Sequence, residues 1–581
     1  MALISCPRCG NRISNLAPYC VYCGEDVHSH DESPLYEVKG GTLIKYHGTR
    51  EVISIPGWID TIGRNAFEGC ECIKTVFIGE SVQSIGDCAF NNCTSLESVI
   101  IADGVESIGF RAFANCSSLV DIVLPHTVSS IADRAFENCS AIESMEIPEG
   151  VVFVGKEAFY ACESLKEITL ANSVKSLGFE SFCNCYSLER VNFGEGLTSI
   201  AGRTIFGCVS LERITIPHGV TTIGEEAFFG CYNLEHLELS DTVTSIGMFA
   251  CSECTGLEYI FIPPSVTTIG IKSFYNCSFL LEVELCEGLR EIGSEAFKGC
   301  SALRSISLPS TLEAMGFEVF CDCPALESIN IGSIDGWCKV NFTHIRNNPQ
   351  LYDKRLSLGG EVIRELCVPE SVEIINDYAF ENCLEIERAE IFGGVSQIGN
   401  RAFANCTGLV EVSLPKTLTT VGKQAFYNCG ELREIDIPDS VHAIADETFA
   451  ECANLKRARL GSGVKIISNH AFANCSLLEE IELCDGITSI CKGAFEGCSA
   501  LKSIVLPGEL ESISAGAFVG CTSLEKVFFK CSDEDIARVK LGDNLGLDYA
   551  QIYCYSEEKP AFFDTYWHYN ENGEIEIWET E

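Results

Sequence analysis

The chain has 581 residues, and 83 acidic side chains against 40 basic ones give a formal net charge of −43. That field repels phosphate backbones and argues against nucleic acid as the main partner. Hydrophobic residues make up 46% of it, enough for a continuous core, yet no apolar run reaches the ~18 residues of a membrane span and no export signal is visible at the start, so the chain is expected to be cytoplasmic.

Residues 1–27 are expected to form a zinc ribbon. Cys6-Pro7-Arg8-Cys9-Gly10 and Cys20-Val21-Tyr22-Cys23-Gly24 are two Cys-x-x-Cys-Gly knuckles. Four thiolates in two such pairs make a closed tetrahedral site, and each glycine permits the tight turn around the metal. Cys6, Cys9, Cys20 and Cys23 are therefore the expected ligands of one structural Zn2+, with iron of the rubredoxin kind as the alternative metal. The segment resembles the short zinc ribbons at the ends of bacterial proteins. A closed site has no open coordination position and does no chemistry itself. Residues 28–35, with His28 and His30, read as a linker.

A first repeat array is expected over residues 36–332, opened by a capping hairpin from Tyr36 to Tyr46 around Gly40-Gly41. From there an Ala-Phe-x-x-Cys-like signature recurs every 23 residues, at Phe67, Phe90, Phe113, Phe136, Phe159, Phe182, Phe228, Phe274, Phe297 and Phe320. Ile205 and Cys251 replace the Phe in two turns without breaking the register. The cysteine three residues on is present in all nineteen turns of the chain. A fixed period sustained this long marks a solenoid.

One turn reads Leu119-x-x-Ile122-x-Leu124-Pro125, Val128-x-x-Ile131, Ala135-Phe136-x-x-Cys139. Leu119, Ile122 and Leu124 suit a short strand with alternate residues in the core. The proline ends the ladder where its missing N–H does no harm. Twenty-three residues are too few for strand, full helix and return, which need ~30. A second short strand or a 3₁₀ turn is expected on the outer arc.

This run resembles the BspA-type leucine-rich repeats over roughly residues 50 to 530. The resemblance implies a repeat solenoid with a parallel sheet on its concave face, used for protein or surface recognition. Many such relatives are exported adhesins, and this chain departs from them in showing no signal peptide.

Residues 333–362 are expected as an insertion within one turn. Trp337 falls in a short helix, Asn348-Pro349 in a turn and Gly359-Gly360 in a hairpin. A second array follows over 363–530, with the Phe positions at 380, 403, 426, 449, 472, 495 and 518. Residues 531–581 are expected to cap it. There a short helix runs from Asp533 to Val539, a strand follows at Ile552 to Tyr555, and a hairpin from Tyr566 to Trp578 turns at Asn572-Gly573.

The repeat cysteines read as small buried hydrophobes, since equivalent side chains on stacked turns point the same way and sit too far apart at Cβ for a disulfide. Thirty-five cysteines without an export signal read as reduced thiols plus the metal site. No phosphate-binding loop, His-Glu-x-x-His or nucleophile elbow occurs, so no enzyme is expected.

Binding is expected on the strand positions that face away from the core, the third and fifth places of each strand. Twelve acids against six bases occupy them over the nineteen turns. Three apolar patches stand out. Phe77, Ile100 and Val123 lie near the start, and Val505 and Phe528 near the end, where the caps or the ribbon are expected to cover them. Tyr259 and Phe261 share a middle strand, flanked by His236, Glu238, Glu282 and Glu284, and are the expected partner contact. The insertion around Trp337 is the alternative cover for that pair. Two functions fit: a cytosolic scaffold that binds a protein, with the ribbon as accessory contact or tether, or a surface adhesin or glycan-binding module.

Overall fold

A computed structural model describes residues 3–5, 11–14, 20–22, 35–342, 354–543, 545–547, 550–560 and 565–578. The 23-residue turn is built from two strands and a tight corner. In the turn quoted above, the longer strand is Asp121–Val123, with Ile122 buried between two exposed neighbours. The second, expected on the outer arc, is the two-residue strand Ser130–Ile131. Strands pair in parallel with equivalents one turn away, as Ser130–Ile131 does with Ser107–Ile108 and Phe153–Val154.

The Ala-Phe-x-x-Cys signature forms the corner. Its backbone alternates hands: Arg134 (φ 58°) and Asn138 (φ 58°) are left-handed on either side of Phe136. The N–H groups of Arg134, Phe136 and Asn138 thereby reach the carbonyls of Lys156, Ala158 and Tyr160 in the next turn, each at 2.8 Å. The left-handed conformation strains most residues that carry a Cβ; Gly has none, and Asn offsets the strain by local hydrogen bonding. Hence the residue before the ladder cysteine is so often one of these, as at Gly69, Asn92, Asn115, Asn138 and Asn184.

The chain divides into two compact units. The first comprises Met1–Ile306 and Glu318–Leu326, the second Ser307–Phe317 and Glu327–Glu581.

In the first unit the antiparallel hairpin of Tyr36–Lys39 and Thr42–Tyr46 adds to the end of the short-strand row by pairing with Thr61–Ile62. Tyr36 lies on Tyr46 (ring centroids 5.3 Å apart) and Tyr46 on Phe67 (5.2 Å), so two tyrosines close the end of the phenylalanine stack. From Phe67 to Phe182 successive rings are parallel-stacked at 4.7 to 5.6 Å. The longer strands form separate short sheets, among them one of four strands from Arg213–Thr215 to Glu282–Leu285.

In the second unit the inserted helix spans Ile334–Lys339, capped by the Ser333 side chain, which accepts from the Gly336 N–H at 2.9 Å. Its Trp337 is buried, donates Nε1–H to the Ala379 carbonyl at 2.7 Å and meets Phe342 edge-on. The expected hairpin pairs Arg355–Leu358 with Glu361–Val362 through left-handed Gly359 and Gly360. The turn at Asn348-Pro349 lies outside the described residues. Phe380 to Phe518 repeat the ring stack at 5.3 to 5.6 Å. The helix expected from Asp533 to Val539 is shorter, Asp533–Ile536, because Lys540–Leu541 joins the short-strand row beside Ser512–Ile513. Gln551–Tyr555 pairs with Lys526–Phe529, and Tyr566–Tyr569 and Ile575–Ile577 complete that sheet.

Candidate functional site

Four parallel strands of the first unit carry the middle aromatic pair: Arg213–Thr215, His236–Glu238, Tyr259–Ile262 and Glu282–Leu285. Ile260 and Ile262 point into the core, which turns Tyr259 and Phe261 outward; they remain 40% and 36% exposed. The register sets His236 opposite Tyr259 and, on the other side, Glu282 opposite Tyr259 and Glu284 opposite Phe261. Two residues beyond His236, Glu238 stands level with Phe261. All six expected contact residues are thus brought together on one face, and all are exposed.

The pair is held in place from one side. Tyr259 Oη donates to Glu284 Oε2 at 2.9 Å. Partial burial and that hydrogen bond push the tyrosine pKa up to about 12, so the phenol keeps its proton at neutral pH. Thr215 donates to Glu238 at 3.1 Å. One strand further, between Arg190–Asn192 and Arg213–Thr215, the strand ladder is interrupted. A groove of about 560 Å³ opens there, lined by two arginines and three glutamates among its side chains. Trp337, the alternative cover for the aromatic pair, is committed to Ala379 and Phe342.

The two end patches differ. Phe528 is buried, stacked on Tyr553 at 5.1 Å and edge-on to Trp567 at 5.6 Å, with Val505 packed against the cluster; the C-terminal strands cover it. Phe77 is buried too, whereas Ile100 and Val123 are exposed. Near Phe77 the main chain of Val21 packs on Gly79, where a Cβ would come 2.1 Å from the Val21 carbonyl oxygen. Of the four expected zinc ligands, Cys20 is buried, and Cys6, Cys9 and Cys23 lie outside the described residues. Among the described residues no group of three or more His, Cys, Asp or Glu is placed to hold a metal ion. No helix among them is long and apolar enough to cross a membrane.

The ladder cysteines have a role beyond filling space. From Cys93 to Cys323 and from Cys406 to Cys521 the thiol reaches the carbonyl of the signature residue in the preceding turn, as Cys139 Sγ does to Phe113 at 3.1 Å, and the distance holds at 3.0 to 3.3 Å in both units. The Phe113 carbonyl also accepts the Cys116 N–H, so the thiol serves the second lone pair of a buried acceptor. Burial pushes Cys162 and Cys231 up to about 12, which makes them poor nucleophiles. The sequence shows the cysteines; it does not show that their sulfurs turn to a carbonyl. A second missed feature is the ion-pair row at the first left-handed corner position, where Arg203 bridges Glu180 at 3.0 Å and Glu226 at 2.6 Å.

The model for the BspA type leucine-rich repeat region matches residues 46–166, 152–281, 269–347, 373–501 and 419–541. Similar solved structures include a leucine-rich repeat protein from Bacteroides ovatus, 23% identical over 89% of this chain and 97% of that one, with a TM-score of 0.36. A leucine-rich cell surface protein from Faecalibacterium prausnitzii is 21% identical over 87% and 98%, with a TM-score of 0.22. The pneumococcal vaccine antigen PcpA is 20% identical over 62% and 84%, with a TM-score of 0.35. No curated protein matches the chain.

Proposed function

The chain belongs to the BspA type leucine-rich repeat family, and from that premise we propose that it is a non-enzymatic scaffold that holds a protein partner at Tyr259 and Phe261. The observation that carries this reading is an exposed aromatic pair on a rigid strand face, ringed by His236, Glu238, Glu282 and Glu284. Interface energy concentrates in a few aromatics surrounded by polar residues. Because both side chains face away from the core, Tyr259→Ala with Phe261→Ala opens no cavity and leaves the Tm nearly unaltered. Capture of the partner from native extract by the full chain should weaken about thirtyfold, ~2 kcal/mol. Unchanged capture at unchanged stability would overturn the reading.

Residues 1–27 are the accessory contact or tether, folded around one structural Zn2+ on Cys6, Cys9, Cys20 and Cys23. The donor set fits the metal: four thiolates in two knuckles. Buried Cys20 and the packing of Val21 on Gly79 are consistent with a second knuckle seated against the array. Elemental analysis should find one zinc per chain, and Cys6→Ser with Cys9→Ser should remove it while the circular dichroism of the repeats stays as it was. Metal-free protein, or a variant in which the repeats unfold, would refute this part.

The cytoplasm is the compartment this reading requires, since it needs thiols in the reduced state. The rival reading, an exported adhesin or glycan-binding module, places the same thiols in an oxidising compartment. Protein from native cells, denatured, should show close to 31 reactive thiols outside the ribbon; a count well below that would favour export.

A further inference from the structure

The chemistry around the aromatic pair says more about its occupant than that it is a protein. On the three strands His236–Glu238, Tyr259–Ile262 and Glu282–Leu285 there is no lysine or arginine. Glu238, Glu282 and Glu284 surround the rings, and Glu235 and Glu258 stand at the strand starts. On this four-stranded sheet the one lysine or arginine is Arg213, two strands from Tyr259, and on the other side Arg304 precedes the strand two turns on. On some other strands exposed acids are answered by bases: Arg388 lies 3.7 Å from Glu411, and Arg457 reaches both Glu480 and Glu482. Here, among the described residues, Glu238 accepts only from Thr215 and Glu284 only from Tyr259, and no base pairs with either or with Glu282.

We infer that the partner seats an arginine side chain on Tyr259 and Phe261, between the carboxylates of Glu238 and of Glu282 and Glu284. This rests on the partner-binding reading of the same face. Neighbouring strands lie ~4.8 Å apart, so carboxylates flank Phe261 at one strand spacing on each side, with Glu238 and Glu284 level with it. A planar guanidinium stacks on an aromatic face while its in-plane N–H groups donate outward to carboxylates. An ammonium is a more strongly hydrated point charge and does only part of this. An acidic occupant would meet three carboxylates with no base beside them. A purely apolar one would leave those carboxylates desolvated and unpaired. Tyr259 is already tied to Glu284, so the ring is positioned before anything binds.

The test uses the full chain and a library of random short peptides, selected on wild-type protein. Binders should be enriched in arginine. In a synthetic binder, replacing that arginine by citrulline, its uncharged near-isostere, should weaken binding about tenfold or more. Glu282→Gln with Glu284→Gln should weaken it as much, and the two losses should not add, because they break one contact. Glu146→Gln with Glu390→Gln, on strands without an aromatic pair, should change nothing, which separates local recognition from the pull of a −43 chain. Binders lacking arginine, indifference to citrulline, or an equal loss in the control variant would overturn the inference. The partner-binding reading would survive those results if Tyr259→Ala with Phe261→Ala still abolished binding. A library yielding no peptide that depends on the aromatic pair counts against both.

Discussion

Single residues set the hand and polarity of every corner. Asn138 and its equivalents take the left-handed conformation that lets the corner N–H groups bond along the stack, and the thiols satisfy the signature carbonyls from below. Those thiols make the repeats sensitive to alkali. A thiol in the unfolded chain titrates at about 8.5, whereas burial holds Cys162 at about 12. The native state therefore keeps a proton that the unfolded state releases, so the stabilisation is intact below about pH 8.5 and is drawn down as pH climbs toward 12. Urea midpoints measured from pH 7 to 10.5 should fall progressively above about pH 8.5, and replacing several ladder cysteines by alanine should flatten that fall. A midpoint unchanged across the range would show that the thiols do not titrate against folding. The cysteines were legible in the sequence as buried; their acceptors were not, because a 23-residue period says nothing about which way a χ1 rotor turns.

The hairpins were the more predictable elements. Gly-Gly between alternating residues gives the hairpins at Gly40-Gly41 and Gly359-Gly360, since two left-handed positions in succession suit glycine. Tyr36 and Tyr46 complete the phenylalanine stack. The N-terminal segment is placed instead by a long-range approach, the Val21 main chain against Gly79. A methyl group there has no room, so Gly79→Ala should dislodge the N-terminal segment. Limited proteolysis should then cleave within residues 1–35 markedly faster than in wild type, with the circular dichroism of the repeats unchanged. Equal cleavage rates would mean that the segment is held by other contacts. The fate of Trp337 was likewise a tertiary matter: its sequence context suggests a short helix, but only the position of the Ala379 carbonyl decides where the indole goes.

Across the whole molecule the repeat makes stability local. A turn contacts its neighbours and little else, so a lesson from one position carries to its equivalents. Phe159 is fully buried between Phe136 at 5.1 Å and Phe182 at 5.6 Å. Phe159→Ala should cost ~3–5 kcal/mol through lost burial and the cavity left behind, and hydrogen exchange should lose protection first in the turns on either side. Uniform loss across the first unit would show that its turns unfold as one. The sequence by itself determined the turn, its period, the buried ladders and the residues that face outward, because each follows from local alternation and from stacking equivalent positions. Only the tertiary structure decided which outward residues stay exposed: Tyr259 and Phe261 do, while Phe77 and Phe528, alike in the repeat pattern, are buried. The physical reason is that exposure depends on what non-repeating chain packs over a strand, and segments outside the period carry no register from which that packing can be read.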